Sequence, residues 1–108
     1  MVIYQLRVEI KPYKPGEFID SMNSVLQKIR KTKGCHDFRV YRDTGKENTY
    51  AVVGEWKSRE AMKKHFKTHE FEFLIGASRV LGETFVMHIG EVSNSGGVEL
   101  AKKQIADE

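Results

Sequence analysis

Apolar and polar residues alternate from the start of the chain. Val2, Tyr4, Leu6, Val8 and Ile10 share one face and Ile3, Gln5, Arg7 and Glu9 the other, the period of two expected of a half-buried β-strand. Lys11-Pro12-Tyr13-Lys14-Pro15-Gly16 ends it, because proline has no N–H for a strand ladder. From about Glu17 the period lengthens. Phe18, Met22, Val25, Leu26 and Ile29 form the stripe of an amphipathic helix, Glu17 and Asp20 suit its positive end, and Gly34 is a natural stop. Cys35 to Arg42 reads as a second strand and Asp43 to Asn48 as a hairpin connection. Thr49 to Trp56 reads as a third strand, with Tyr50, Val52, Gly54 and Trp56 facing one way.

Ser58 is a good N-cap for a second helix, with Glu60 in the first turn. Met62, His65, Phe66 and His69 fall at helical spacing on one side, and Arg59, Lys63, Lys64 and Lys67 mostly on the other. The helix is expected to bend or restart near Thr68 and to run on through Phe71, Phe73, Leu74 and Ile75, with Gly76 weakening any single continuous helix. Leu81 to Val92 reads as a fourth strand. Ser93 to Gly97 reads as a flexible linker, and Val98 to Ala106 has the pattern of a short terminal helix. Residues 1–92 then form one domain, and 93–108 a linker and tail.

The order β-α-β-β-α-β predicts an α+β fold of ferredoxin-like topology, a four-stranded antiparallel sheet with both helices on one face. Strand four alternates Phe85, Met87 and Ile89 against Thr84, Val86, His88 and Gly90, and strand three places Ala51 and Val53 opposite Tyr50 and Trp56. Apolar residues thus lie on both faces, more than one helical layer covers. A homodimer packed sheet to sheet is the expected partner arrangement.

Composition narrows the classes. A chain of 108 residues with 40 % hydrophobic and 31 % charged residues suits one globular domain. No apolar run approaches the roughly 18 residues that cross a bilayer, and the N-terminus lacks the pattern of a secretory signal. No membrane partner is expected, and the cytoplasm is the expected location. Cys35 is alone, which excludes an internal disulfide and a cysteine-based zinc site. The net charge is +3 and the pI about 9.0. The cations group at the end of the first helix (Lys28, Arg30, Lys31, Lys33) and on the solvated side of the next, so no nucleic acid partner is expected. Thr49 to Trp56 also lacks the aromatic and basic arrangement of an RNA-binding sheet.

His65 is the main candidate for chemistry. It stands on an otherwise apolar helix face, either as a satisfied core residue or as the lining of a pocket. His36 begins a strand and reads as an exposed loop residue, and His88 reads as part of sheet packing or a dimer interface. Only His65 and His69 have ligand spacing, without the following Glu of a metalloprotease helix or an evident third ligand, so no metal is expected. Cys35 reads as a small buried hydrophobe.

Pro15-Gly16 with Phe18, Gly34-Cys35 with Phe38, and Glu55-Trp56, Ser58, Ala61, His65, Thr68 and Phe71 together resemble the antibiotic biosynthesis monooxygenase family. The likeness covers nearly the whole chain through Val92. It implies a dimeric α+β barrel and, from the quinol monooxygenase and dione isomerase branch that shares the helix histidine, a cofactor-free reaction on a small aromatic or quinone-like molecule. Heme-degrading relatives bind iron through a histidine where this chain has Ile75, beside Gly76. Residues that anthrone-type oxygenases carry are replaced by Val52, Met62 and Gly76. The expectation is therefore a cofactor-independent monooxygenase with no cofactor. His65 would act as general base, with Trp56, Tyr4, Phe66 and His69 around the substrate. An isomerase and a non-catalytic ligand-binding dimer of the same fold are the alternatives.

Overall fold

The computed structural model describes residues 1–107, so the last residue of the tail, Glu108, lies outside it. The elements in chain order are β1 (Val2–Ile10), α1 (Pro15–Arg30), β2 (Cys35–Arg42), β3 (Thr49–Trp56), α2 (Arg59–Phe66), α3 (His69–Leu81), β4 (Gly82–Glu91) and α4 (Val98–Ala106). The strands form one antiparallel sheet in the order β2-β3-β1-β4, the ferredoxin-like arrangement. β1 lies at its centre. Tyr4 stands opposite Gly54 on one side and Ile89 on the other, and Phe38 of β2 also stands opposite Gly54.

Some boundaries differ from those expected. α1 begins at Pro15 rather than Glu17, because the first helical position needs no free N–H and suits the fixed φ of proline. α3 continues through Gly76 to Leu81, so β4 starts at Gly82. An exposed helical glycine costs about 1 kcal/mol, less than is gained where α3 buries Leu74, Ser78 and Leu81. The helix that starts after Ser58 restarts at Thr68, one of the two expected outcomes, so the segment is two helices. Lys67 closes α2, and Thr68, with extended backbone (φ −87°, ψ 158°), caps α3.

The core lies between the sheet and the helices. Val2, Tyr4, Leu6, Val8 and Ile10 of β1 meet Phe18, Met22, Val25 and Ile29 of α1, with Phe38, Val52, Trp56, Met62 and Leu74 completing it. Gly34, at φ +89°, turns the chain from α1 into β2 in a conformation that other residues rarely adopt. The helical layer does not reach across the whole sheet. Phe85 and Ile89 point to the helix side of β4, yet they remain 37 % and 51 % exposed. On the opposite face Val53 and Ala51 are half-buried, whereas Val86 and His88 are exposed beside the polar Gln5 and Arg7. Among the described residues no helix is long and apolar enough to cross a membrane.

Candidate functional site

The site is built from β1, β3 and the two halves of the broken helix. Ser58 Oγ accepts from the Ala61 N–H (3.1 Å) and starts α2, which turns Met62 and His65 into the core. Thr68 then joins the halves. Its hydroxyl donates to the His65 carbonyl (2.7 Å) and accepts from the Phe71 N–H (3.2 Å). One side chain thus fixes where His65 ends one helix and where Phe71 enters the next.

His65 is fully buried, at 1 % exposure, between the rings of Trp56 and Tyr4, which are both at 0 %. Its ring stacks on Trp56 with centroids 4.4 Å apart at 26°, and lies 5.6 Å from Tyr4 at 22°. Phe71 meets it edge-on at 5.2 Å, and Phe66 and Phe38 complete the surround at 6.0 and 6.4 Å. Phe66 and Phe71 are half-buried and 4.8 Å apart, so they carry this aromatic cluster out to the surface between α2 and α3. Gly54 makes the close approach possible. A Cβ there would sit 2.8 Å from Tyr4 Cε2 and 2.9 Å from Trp56 Nε1.

One hydrogen bond holds the imidazole: Tyr4 Oη lies 2.7 Å from His65 Nε2. Among the described residues two buried nitrogens have no protein partner, His65 Nδ1 and Trp56 Nε1. A buried polar nitrogen that finds no partner costs about 1–3 kcal/mol, so both atoms mark a place where a ligand or water oxygen would be stabilised. Burial pushes the His65 imidazolium down to about 4, against the opposing pull of the Glu70 carboxylate. Burial likewise pushes the Tyr4 phenol up, with the nearby Cys35 adding to it. At neutral pH the pair is therefore uncharged.

The depressed histidine predicts how stability depends on pH. An unfolded chain takes up a proton near 6.5, whereas folded His65 resists protonation until about 4. Stability should therefore fall as pH drops below 6.5, with the full loss reached below about 4. The loss is at most about 3 kcal/mol, and smaller to the extent that water reaches the ring. Thermal melts between pH 8 and pH 4 should show a steeper fall for the natural chain than for His65→Gln. Parallel curves would show that His65 titrates as a solvated residue.

The structure brings together four of the five residues singled out from the sequence: Tyr4, Trp56, His65 and Phe66. His69 is not among them. It opens α3, is exposed, and lies outside the aromatic cluster. Sequence reasoning does not single out Phe38, Phe71 or Gly54 as site residues, although the pairing of Gly54 with Tyr4 follows once the sheet register is known. His36 and His88 are exposed, and Cys35 is half-buried, its thiol 3.6 Å from the Asp37 carbonyl. Among the described residues no three His, Cys, Asp or Glu side chains gather as a metal would require.

Residues 1–74 match the model of the antibiotic biosynthesis monooxygenase family. The chain belongs to that family. It is 30 % identical over 81 residues to the Bacillus subtilis (strain 168) protein named "Putative monooxygenase YcnE", covering 75 % of this chain and 85 % of that one. Among solved structures, a point mutant of SnoaB, a cofactor-independent oxygenase from Streptomyces nogalater, superposes with a TM-score of 0.78. It is 18 % identical, covering 89 % of this chain and 96 % of that one. Rv0793 from Mycobacterium tuberculosis gives 0.80 at 12 % identity, covering 89 % and 98 %. At such identities these two likenesses establish the fold.

Proposed function

We propose that this chain is a cofactor-independent monooxygenase that oxidises a small aromatic or quinol-like substrate with dioxygen. His65 brings the substrate hydroxyl into its ionised, electron-rich form. The observation that carries this reading is the buried stack of Tyr4, Trp56 and His65, with two nitrogens that have no partner among the described residues. The nitrogen available for that role is Nδ1, because Tyr4 engages Nε2. An ionised phenol or quinol gives up electrons to dioxygen readily. One oxygen atom then enters the substrate and the other leaves as water, with all the electrons supplied by the substrate. Family membership and the cofactor-independent chemistry of SnoaB support this assignment. The test is oxygen uptake by metal-depleted protein with a panel of quinols and phenols. Saturable, protein-dependent uptake is expected. Binding without uptake would move the assignment to a non-catalytic ligand-binding member of the family.

We also propose that the chain works as a homodimer joined through its sheets. Val86 and Val53 lie on the uncovered face, and Phe85 and Ile89 stay exposed at the edge of the helix side of the outer strand. Light scattering at micromolar concentration should give about twice 12.4 kDa. Val53→Lys should shift the mass toward one chain, because a lysine held in an interface without a partner costs several kcal/mol. A monomer for the natural chain would remove the proposal.

A further inference from the structure

The Tyr4–His65 hydrogen bond can be made in two ways, and they give the site opposite characters. A neutral imidazole carries one N–H and one lone pair. If Tyr4 O–H donates to Nε2, the histidine hydrogen is on Nδ1, and the unpaired buried groups are two N–H donors, His65 Nδ1–H and Trp56 Nε1–H. If instead Nε2–H donates to Tyr4 Oη, three groups go unpaired: the Tyr4 O–H, the His65 Nδ1 lone pair and the indole N–H. No other partner for the Tyr4 hydroxyl exists among the described residues. The first arrangement leaves fewer groups unsatisfied. It also uses the better donor, a phenol, and the better acceptor, an imidazole nitrogen.

We infer that Tyr4 is a positioning residue that holds the His65 hydrogen on Nδ1, so that the stack takes its ligand through an acceptor oxygen: a phenolate or enolate in preference to the corresponding hydroxyl. An indole nitrogen is a donor only, so Trp56 has the same need as Nδ1–H and no need for a hydroxyl hydrogen. The nearby Glu70 carboxylate favours the charged imidazolium and works against a second anion. The preference therefore comes from the two donors and not from a general positive field. This inference rests on the reading that the stack receives the substrate. Within that reading His65 makes the bound hydroxyl a stronger acid, the proton leaves to solvent as the ligand enters, and no side chain has to carry it.

Two measurements test it, and one needs no ligand. In protein labelled with 15N-histidine, the His65 imidazole at pH 7 should show its proton on Nδ1, and Tyr4→Phe should shift the ring toward the other tautomer or a mixture. A proton found on Nε2 in the natural chain overturns the inference, whatever the outcome of oxygen-uptake assays. The second measurement titrates 4-nitrophenol bound to the protein by its phenolate absorbance. The bound phenol should ionise about one pH unit lower than the free one, a tenfold preference for the anion, and Tyr4→Phe should lose most of that shift. An unchanged or raised value, or no saturable binding, overturns the ligand part. Thermal melts of Tyr4→Phe separate loss of the hydroxyl from loss of the fold, since phenylalanine keeps the ring contacts with Phe66 and Phe71. Failure of oxygen uptake alone, with the tautomer and the nitrophenol shift as expected, would count against the oxygenase assignment and not against the role of Tyr4.

Discussion

His65→Ala should lower turnover of a quinol-like substrate by roughly 10²–10⁴-fold while changing its binding much less. That span is what a positioned acid–base group or an oxyanion-stabilising donor contributes. The flat ring of a substrate would still be held by Trp56, Phe66 and Phe71, so the loss should fall on kcat. The substitution also removes a buried ring from the core, and this must be separated from the chemistry. His65 touches Trp56, Tyr4 and Phe71, so a cavity is opened, but an unpaired nitrogen is removed with it. His65→Gln keeps a hydrogen-bonding group near Tyr4 and fills more of the space. Oxygen uptake by both variants, alongside their melts, gives the answer. If His65→Ala keeps natural turnover and changes only the melting temperature, the histidine is a packing residue and the oxygenase assignment loses its main support.

Much of this arrangement was legible in the chain, and the reason differs from element to element. β1 announces itself because alternate residues from Val2 to Ile10 all face one core. The helix carrying His65 is marked by Ser58, whose hydroxyl has a local job that can be read from three residues of sequence. The placement of His69 was not legible. Its spacing of four from His65 puts the two on one face only if the helix is continuous. Thr68 adopts an extended backbone and starts a new helix, so the rotational phase is reset and His69 turns outward. The threonine hydroxyl that bridges His65 and Phe71 is the signal for this break, since Ser58 and Thr68 are both capping residues ten positions apart. The Tyr4–His65 bond was hidden for another reason. It joins residues 61 apart in sequence, and their meeting depends on strand register and on the missing side chain at Gly54 rather than on any local period.

Trp56→Ala should act in the opposite sense to His65→Ala, chiefly on stability and on binding. The indole is wholly buried, stacks on His65, and packs closely over Gly54. Truncating a buried tryptophan costs about 3–5 kcal/mol. A domain of this size has only about 5–15 kcal/mol in total, so the variant should melt at least roughly 10 °C lower and populate unfolded chain under mild conditions. Trp56→Phe distinguishes area from polarity. It keeps much of the buried surface and deletes a nitrogen whose N–H has no partner among the described residues, so part of the lost packing is offset by a removed desolvation penalty. Its expected cost is below about 2 kcal/mol. In the presence of a phenolate ligand the order should widen, because only the natural indole can donate to the ligand oxygen. Urea unfolding of the three proteins, with and without 4-nitrophenol, measures both terms. A Trp56→Ala variant within about 1 kcal/mol of the natural chain would mean that the indole is loosely held, and the stack could then not serve as the rigid wall that the proposed chemistry requires.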